Sequence, residues 1–360
     1  MTNPRADDLF LSLTPERVLN AVEAGGHAVT GLCYPLNSFE NRVYEVELAD
    51  RSRVIAKFYR PGRWSEEQIL AEHSFLEDLA ADEIPVVPMR RFADGSTLAR
   101  IEEIWYSLAD RRGGRAPAEL NDEMALRLGR LVGRLHNVGA RKPAAPRLRM
   151  TADAFIGDAL AWLAAHRTLP EHLEARYRAA ALGIAAAVDK TLLGVPTFRI
   201  HADLHLGNLL EREGLLHIID FDDMVEGPAV QDLWLALPGR DAETLDRRDL
   251  FLDGYRQFRE FDRSWLALIE PLRGLRLVHY ATWLARRWHD PAFPAAWPWF
   301  GTPDYWNRET EDLEEQLAVI RGEVEAARIE DDRAAGREVE LKDEAPEMTN
   351  KDFFWDWEGN

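Results

Sequence analysis

The chain has 360 residues, a formal charge of −19 and a composition that is ordinary for a soluble globular protein. The negative charge repels phosphate backbones and argues against nucleic acid as a partner. No apolar run reaches the roughly 18 residues that span a bilayer, so no membrane association is expected. Cys33 is the only cysteine. With an N-terminus that lacks the apolar core of a secretory signal, this predicts a cytoplasmic protein.

The first 110 residues predict a small lobe that is mostly β-structure with one prominent helix. A short helix is expected where Thr14 can cap and Pro15 can open it. The main helix should begin at Ser65, where Gln68 three residues later completes a capping box. The predicted strands are 42–48, 53–59, 90–92 and 102–108, the last two joined by a turn at Asp94-Gly95.

Beyond residue 110 the apolar spacing becomes helical, interrupted by a short β stretch at 197–222. The predicted helices are 124–136, 153–166, 172–193, 229–237, 247–260 and 264–288. The fold class that follows is α+β, with an N-terminal nucleotide-binding lobe (1–110) and a larger, mostly helical C-terminal lobe (111–329). Residues 330–360 are acidic and poor in aliphatic side chains, which predicts a disordered tail, although its aromatic end could dock.

The densest polar pattern lies in the β stretch. Asp203 and Asn208 stand in H-x-D-x-x-x-x-N, the spacing of a kinase catalytic loop, where the aspartate receives the hydroxyl proton and the asparagine holds a metal. Asp220 follows an apolar strand, where a second metal ligand is expected. One carboxylate and one amide oxygen suit Mg²⁺, which also binds phosphate oxygens. Each residue alone could be a turn former, but their order predicts ATP- and Mg²⁺-dependent phosphoryl transfer.

The flanking histidines fit several roles. His201 is expected to bond the loop backbone, whereas His205 could approach the nucleotide or simply pack. Because His201, Asp203 and His205 alternate, they could also supply three ligands on one side of a strand to a metallohydrolase. That alternative leaves Asn208 unexplained, as well as a lysine in the N-terminal lobe.

That lysine, Lys57, stands inside an apolar strand, where an ammonium group requires a partner. Kinases place a lysine there to hold the α- and β-phosphates, paired with a glutamate from the next helix. Glu72 shares a face with apolar residues of the predicted helix and is the expected partner. The phosphate-cradling loop is expected within 31–41, where backbone amides and the Ser38 hydroxyl can donate to phosphate. Cys33 is expected to be a small buried filler.

These motifs resemble the aminoglycoside phosphotransferase and choline kinase-like superfamily. The resemblance rests on H-A-D-L-H-L-G-N at 201–208, on I-I-D-F-D-D at 218–223, and on Gly227-Pro228 followed by Asp232-Leu233-Trp234. It is closer to a bacterial stress-response branch, through P-L-N-S at 35–38, K-F-Y-R-P at 57–61, I-E-P-L-R at 269–273 and D-P-A-F-P at 290–294. The similar region spans roughly residues 12 to 320.

The resemblance implies a serine/threonine protein kinase that phosphorylates protein substrates and itself, and acts as a cytoplasmic monomer under stress. By position it implies that Asp203 accepts the proton and that Asn208 and Asp220 bind Mg²⁺, with Asp220 also catalytic. Ser38 is implied to touch ATP. Asp232 is implied to brace the catalytic loop from a helix.

The sequence departs from regulated protein kinases in two ways. It lacks a G-x-G-x-x-G loop, and Ala202 stands where many of them have an arginine that clamps an activation-loop phosphate. Only a short segment separates Asp220 from Gly227. We therefore expect a site that is assembled without activation-loop phosphorylation.

Another kind of acceptor remains open. A kinase for a small hydroxylated molecule, such as an amino alcohol or an aminoglycoside, would use the same centre, and the acidic chain suits a cationic substrate. The aromatic stretch 297–306 could wall such a pocket, or could pack against the C-terminal lobe. A pseudokinase is a further possibility, but no expected metal or proton-accepting residue is missing.

Overall fold

The structure is a computed structural model that describes residues 4–324. The predicted tail at 330–360 therefore lies outside the described residues. Two helices, α1 and α2, precede a five-stranded antiparallel sheet with the order β1-β2-β3-β5-β4. Helix α3 lies between β3 and β4 in the chain. The bounds are α1 Pro4–Leu11, α2 Pro15–Ala24, β1 Val29–Leu36, β2 Arg42–Leu48, β3 Arg53–Phe58, α3 Glu66–Ala81, β4 Ala99–Ile101 and β5 Ile104–Asp110.

Local signals set the ends of the two predicted helices in this lobe. The Thr14 side chain accepts a hydrogen bond from the Arg17 amide at the start of α2. Ser65 and Gln68 form the predicted reciprocal capping box at the start of α3. The inward face of α2 packs on the sheet, because its apolar residues recur at helical spacing.

Two expectations about this lobe are wrong. Residues 31–36 belong to strand β1 rather than to a loop, because they pair with β2, with Cys33 opposite Val46. The loop between β1 and β2 is therefore limited to 37–41. Residues 90–92 form no strand. Phe92 is buried, and its backbone hydrogen bonds go to Ser96 and Gly95, within the turn at Asp94-Gly95. The true hairpin joins β4 to β5.

In the described part of the C-terminal lobe, up to residue 324, eight helices pack around two small two-stranded sheets, β6-β9 and β7-β8. Helix α8 is shifted from its predicted range because Asp241 caps it earlier. Helix α11 is not among the predicted helices. The bounds are α4 Asp122–Gly139, α5 Asp158–Ala165, α6 Glu171–Leu192, β6 Thr197–Ile200, β7 Leu209–Arg212, β8 Leu215–Ile218, β9 Val225–Pro228, α7 Val230–Ala236, α8 Ala242–Tyr255, α9 Ile269–Arg287, α10 Ala292–Ala296 and α11 Pro303–Ile320.

The aromatic stretch at 297–306 is largely core. Trp297, Phe300, Tyr305 and Trp306 are all buried in the cluster that joins α6, α9 and α11. Packing, rather than walling a pocket, is therefore the role of these four side chains. Within residues 4–324 no helix is both long enough and apolar enough to cross a membrane.

The two lobes are tied together at Asp290, which follows α9 and is almost fully buried. Its carboxylate accepts hydrogen bonds from Arg42 at 2.9 Å and from Arg60 at 2.8 Å, and both arginines belong to the N-terminal lobe. Phe39 packs against Phe293 beside this cluster, with ring centroids 5.9 Å apart. Three separate contacts thus fix the orientation of one lobe against the other.

We expect Asp290→Ala to lower the free energy of unfolding by about 3 kcal/mol, because it leaves two largely buried guanidinium groups without their carboxylate. Urea denaturation followed by tryptophan fluorescence measures this change. The matched control is Asp249→Ala, which breaks the exposed pair with Arg263. That variant should change stability little, because exposed ion pairs contribute little. Equal losses in the two variants would contradict the proposed tie.

Candidate active site

The loop that carries the predicted catalytic motif follows β6 and is held from behind by Asp232 of α7. The buried Asp232 carboxylate accepts hydrogen bonds from the backbone amides of His201 at 3.0 Å and Ala202 at 2.7 Å. It also bonds His136 of α4 at 2.9 Å. Ala202 has φ of 71°, in the left-handed region that non-glycine residues rarely adopt. The charged bonds to Asp232 hold the backbone in that conformation.

His201 connects this loop to the strand that precedes Asp220. Its Nδ1 accepts from the Asp203 amide at 3.2 Å, so its Nε2 is the protonated nitrogen and donates to the Ile219 carbonyl at 2.8 Å. Both ring nitrogens are engaged by backbone. The histidine is therefore a scaffold residue, and this bonding argues against the metallohydrolase alternative, which needs His201 as a ligand.

The Asp203 carboxylate is partly exposed, with 23% of its side chain accessible. Its Oδ1 is 2.9 Å from Arg276 Nη1, and its Oδ2 is 3.5 Å from His205 Nε2. Burial would raise the pKa of Asp203, but the positive charge of Arg276 and the contact with His205 together hold that pKa well below its usual range. Asp203 is therefore a carboxylate at neutral pH and can accept a hydrogen bond from a hydroxyl group.

Asn208 and Asp220 lie side by side at the ends of β7 and β8, because the Ile219 amide donates to the Asn208 carbonyl at 3.0 Å. The Asn208 Nδ2 donates to the Asp203 backbone carbonyl at 2.8 Å, which leaves its Oδ1 as the atom for a cation. Asp220 has a half-exposed side chain and a positive φ of 58° that turns it out of the strand. These two hard oxygen donors fit Mg²⁺. Residues 4–324 contain no group of three or more His, Cys, Asp or Glu able to hold a metal.

Lys57 of β3 is buried among three carboxylates. Its Nζ lies 3.3 Å from Glu72 Oε1, 3.2 Å from Asp220 Oδ1 and 3.1 Å from Asp222 Oδ1. Burial alone would lower the pKa of the lysine, but the three carboxylates raise it well above its ordinary value. The ammonium group is therefore charged. The structure brings together Lys57 and Glu72, the two residues that the sequence pairs.

Among these carboxyl groups, Glu72 is the one whose ionised form is disfavoured by its surroundings. It is 1% exposed, and burial together with the nearby charges of Asp222 and Asp220 raises its pKa to about 7, despite the opposing effect of Lys57. In contrast, Lys57 and Arg63 hold the pKa of Asp222 below its usual range, although burial opposes them. Asp222 is thus the stronger partner of the lysine.

Asp222 and the arginines around it are absent from the predicted site. Arg63 Nη1 lies 2.5 Å from Asp222 Oδ2 and also pairs with Asp223. Arg147 donates to the backbone carbonyls of Asp222 and Met224, and so fixes the segment after Asp220. The sequence offered one signal for this cluster, the acidic pair Asp222-Asp223 that follows Asp220 after one residue. It offered none for Arg63 and Arg147, which come from distant loops.

Ser38 lies in the loop at 37–41, which is attached to the C-terminal lobe. Its neighbour Glu40 accepts from Trp283 Nε1 at 2.6 Å and lies 2.5 Å from Arg287 Nε. In the part of the chain that the structure describes, Ser38 makes no hydrogen bond to Lys57 or to the carboxylates around it.

Cys33 is only half-buried, in the edge strand β1, and burial raises the pKa of its thiol to about 11. A protonated thiol is a poor nucleophile, which argues against a redox role.

The chain belongs to the phosphotransferase enzyme family, because the sequence model of that family (APH) matches residues 34–269. Asp203, Asn208, Asp220, Lys57 and Glu72 all lie within the matched span. The protein is therefore a phosphotransferase.

Two curated relatives are similar over most of the chain. Stress response kinase A of Escherichia coli (strain K12) is 38% identical over 318 residues, 87% of this chain and 95% of the relative. Serine/threonine protein kinase RdoA of Salmonella typhimurium is 38% identical over 312 residues, 86% of this chain and 94% of the relative. The similarity confirms the bacterial stress-kinase resemblance seen in the sequence.

Two solved structures share the fold. Amicoumacin kinase hAmiN superposes with a TM-score of 0.63 at 22% identity, over 82% of this chain and 93% of its own. A microcompartment-associated aminopropanol kinase gives a TM-score of 0.62 at 20% identity, over 84% and 96%. These structures confirm the predicted two-lobed, kinase-like α+β fold.

The raised pKa of Glu72 predicts a specific dependence of stability on pH. Between pH 4.5, the ordinary pKa of a glutamate, and pH 7, the folded metal-free protein keeps a proton on Glu72 that the unfolded chain has lost. Stability should therefore fall as the pH rises through this window, by roughly 3 kcal/mol from this group alone. Glu72→Gln does not titrate and should lack that contribution.

The measurement is urea denaturation of the wild type and Glu72→Gln at intervals from pH 4.5 to 8. The wild type should lose stability relative to Glu72→Gln as the pH rises. Glu77→Gln, on the partly exposed side of the same helix, is the matched control and should keep the wild-type slope. A constant difference between the wild type and Glu72→Gln would show that Glu72 is ionised throughout.

Proposed function

We propose that the protein is an ATP- and Mg²⁺-dependent serine/threonine protein kinase that also phosphorylates itself and acts in the cytoplasm as a monomer. Two observations support the use of a nucleotide and a divalent metal. One is the family, and the other is a site that combines residues of both lobes. The observation that carries the choice of a protein acceptor is the 38% identity, over 87% of the chain, to relatives named as stress response and serine/threonine kinases. A role in stress response is proposed on the same basis.

In this proposal Asp203 is the proton acceptor. The attacking hydroxyl donates to the carboxylate as it forms a bond to the γ-phosphorus, and Asp203 takes its proton as the bond to ADP breaks. The geometry suits this role, because Asp232 and His201 fix the loop and Arg276 keeps the carboxylate ionised. No other carboxylate of the site combines a braced loop with access to the cleft.

The remaining residues handle the nucleotide. Asn208 and Asp220 would hold Mg²⁺, which neutralises phosphate charge when bound. Lys57, oriented by Glu72, would hold the α- and β-phosphates. The Ser38 hydroxyl and the backbone amides of the 37–41 loop would contact the phosphates from the side of the N-terminal lobe. We further propose that the N-terminal lobe ends near residue 110, since β5 ends at Asp110 and the next helix belongs to the other lobe.

A site that is active without phosphorylation of residues 221–228 is part of the proposal. Arg63 and Arg147 already hold this segment through carboxylates and carbonyls, so no phosphate is needed to order it. An unphosphorylated protein that is inactive until a phosphate enters 221–228 would contradict this.

A small-molecule hydroxyl kinase is the second candidate. It is favoured by the fold shared with the aminopropanol kinase and the amicoumacin kinase. Trp297, Phe300, Tyr305 and Trp306 are buried, so these side chains do not line a pocket for a small-molecule substrate.

We expect Asp203→Asn to reduce phosphoryl transfer by roughly 10²- to 10⁴-fold, because an amide cannot accept the hydroxyl proton. The affinity for ATP should change little. Transfer of labelled γ-phosphate to the protein itself and to a generic serine-containing protein substrate measures the rate. Asp246→Asn, an exposed position on α8, is the matched control and should retain full activity. Turnover of amino alcohols or aminoglycosides without any labelled protein would favour the second candidate.

Removal of divalent cations with a chelator should abolish transfer, and added Mg²⁺ should restore it. We expect Asp220→Asn to raise the Mg²⁺ concentration at half-maximal rate by about tenfold or more, because an amide oxygen is a weaker ligand than a carboxylate. Titration of the initial rate with Mg²⁺ at saturating ATP measures this. Glu77→Gln again serves as control. Unchanged Mg²⁺ dependence in Asp220→Asn would remove Asp220 from the metal site.

A further inference from the structure

One face of α9 carries a row of four side chains that begins beside the proposed proton acceptor. Arg276 stands at one end of this face, with Nη1 2.9 Å from Asp203 Oδ1. Tyr280 and Trp283 follow one and two turns later, with stacked rings whose centroids are 5.4 Å apart. Arg287 ends the face and pairs with Glu40 of the 37–41 loop. The face thus runs from the proton acceptor to the proposed phosphate loop, which is where an acceptor must lie.

The acidic groups along this cleft are already engaged by other cations. Asp222 and Asp223 pair with Arg63, and Glu40 pairs with Arg287. Asp220 contacts Lys57 and is the proposed metal ligand. At the point where the acceptor hydroxyl must meet Asp203, the contacting cation is a guanidinium group. Because Arg276 and Asp203 form a pair that is neutral as a whole, the charge of −19 on the chain does not describe the point where the acceptor binds.

Arg276 is both fixed and accessible. Its side chain is 23% exposed, and its Nη1 lies 2.9 Å from Asp203 Oδ1, so an acceptor bound at Asp203 comes within reach of Arg276. A guanidinium group offers several N–H donors in one plane and can bridge two carboxylates or a carboxylate and a carbonyl. The Asp203 carboxylate is already engaged by this guanidinium group and by His205, so an ammonium group on the guanidinium side of the pair would be repelled, and more strongly in a partly buried site than in water.

We propose that Arg276 determines acceptor specificity, so that the enzyme prefers hydroxyl groups flanked by carboxylates and disfavours acceptors that carry an amine near the hydroxyl. This inference rests on the proposed function and narrows it to serine or threonine in an acidic context. It also separates this chain from kinases that act on amino alcohols, since their substrates would place a positive charge against Arg276.

The test uses two peptides that are identical except for the residues on either side of a single serine, which are glutamate in one and lysine in the other. Glycerate and ethanolamine form a second pair, which needs no protein acceptor. We expect the wild type to show a kcat/KM at least about tenfold higher for the glutamate peptide, mainly through KM, because complementary charge acts on binding. Higher ionic strength should reduce this ratio.

The variants then assign the preference to Arg276. Arg276→Gln should bring the ratio to about threefold or less, whereas Arg276→Lys should keep most of it. Arg286→Gln, an exposed arginine on the same helix, is the matched control and should keep the wild-type ratio. If Arg276→Gln turns over too slowly, the ratio of Kd values for the two peptides with alanine in place of serine gives the same comparison.

The outcomes separate this inference from the proposed function. Equal use of both peptides by the wild type, or a ratio that Arg276→Gln leaves unchanged, overturns the inference while the protein-kinase proposal stands. If neither peptide is phosphorylated but glycerate is used in preference to ethanolamine, the protein-kinase proposal fails and the role of Arg276 is supported. Preference for ethanolamine overturns both.

Discussion

The buried ammonium group of Lys57 is the constraint on which the rest of the site depends. A charge at this depth is stable only with carboxylates in contact, and the chain supplies them from helix α3 and from the segment that follows β8. The contacts of Lys57 therefore fix the positions of β3, of α3 and of the segment after β8 relative to one another. Three carboxylates carry more negative charge than one lysine can neutralise, and Arg63 and Arg147 supply further positive charge. Burial and the neighbouring carboxylates still raise the pKa of Glu72.

The same ionic network explains how the site is ordered. In regulated kinases a phosphate and an arginine next to the catalytic aspartate hold the activation segment, whereas here Ala202 stands at that position. The carboxylates of Asp222 and Asp223 pair with Arg63, and in the proposed function these pairs order the segment as a phosphate does in such kinases. The contacts of Glu40 and Asp290 with the opposite lobe add to this order and hold the two lobes together around the cleft.

The catalytic centre does not by itself select an acceptor. Its parts serve a peptide hydroxyl and a small alcohol equally well, and both kinds of kinase occur among the proteins that resemble this chain. Selection must come from groups around the centre, and α9 places Arg276 against Asp203. Under both proposals, phosphoryl transfer would lie in the loops and acceptor specificity on a helix.

The sequence by itself determined the motif residues Asp203, Asn208 and Asp220, the pairing of Lys57 with Glu72, and the fold class, because each depends on short-range spacing or periodicity. It missed strand β1, whose pairing partner alone makes it a strand. Only the tertiary structure decided which cations surround the acidic cluster and which cation lies beside Asp203. Arg63, Arg147 and Arg276 lie far along the chain from the carboxylates and carbonyls they contact, and their contacts follow from the packing of whole elements. The charge balance of a buried site depends on residues that are distant in the chain, so the local sequence indicates only part of it, here the pairing of Lys57 with Glu72.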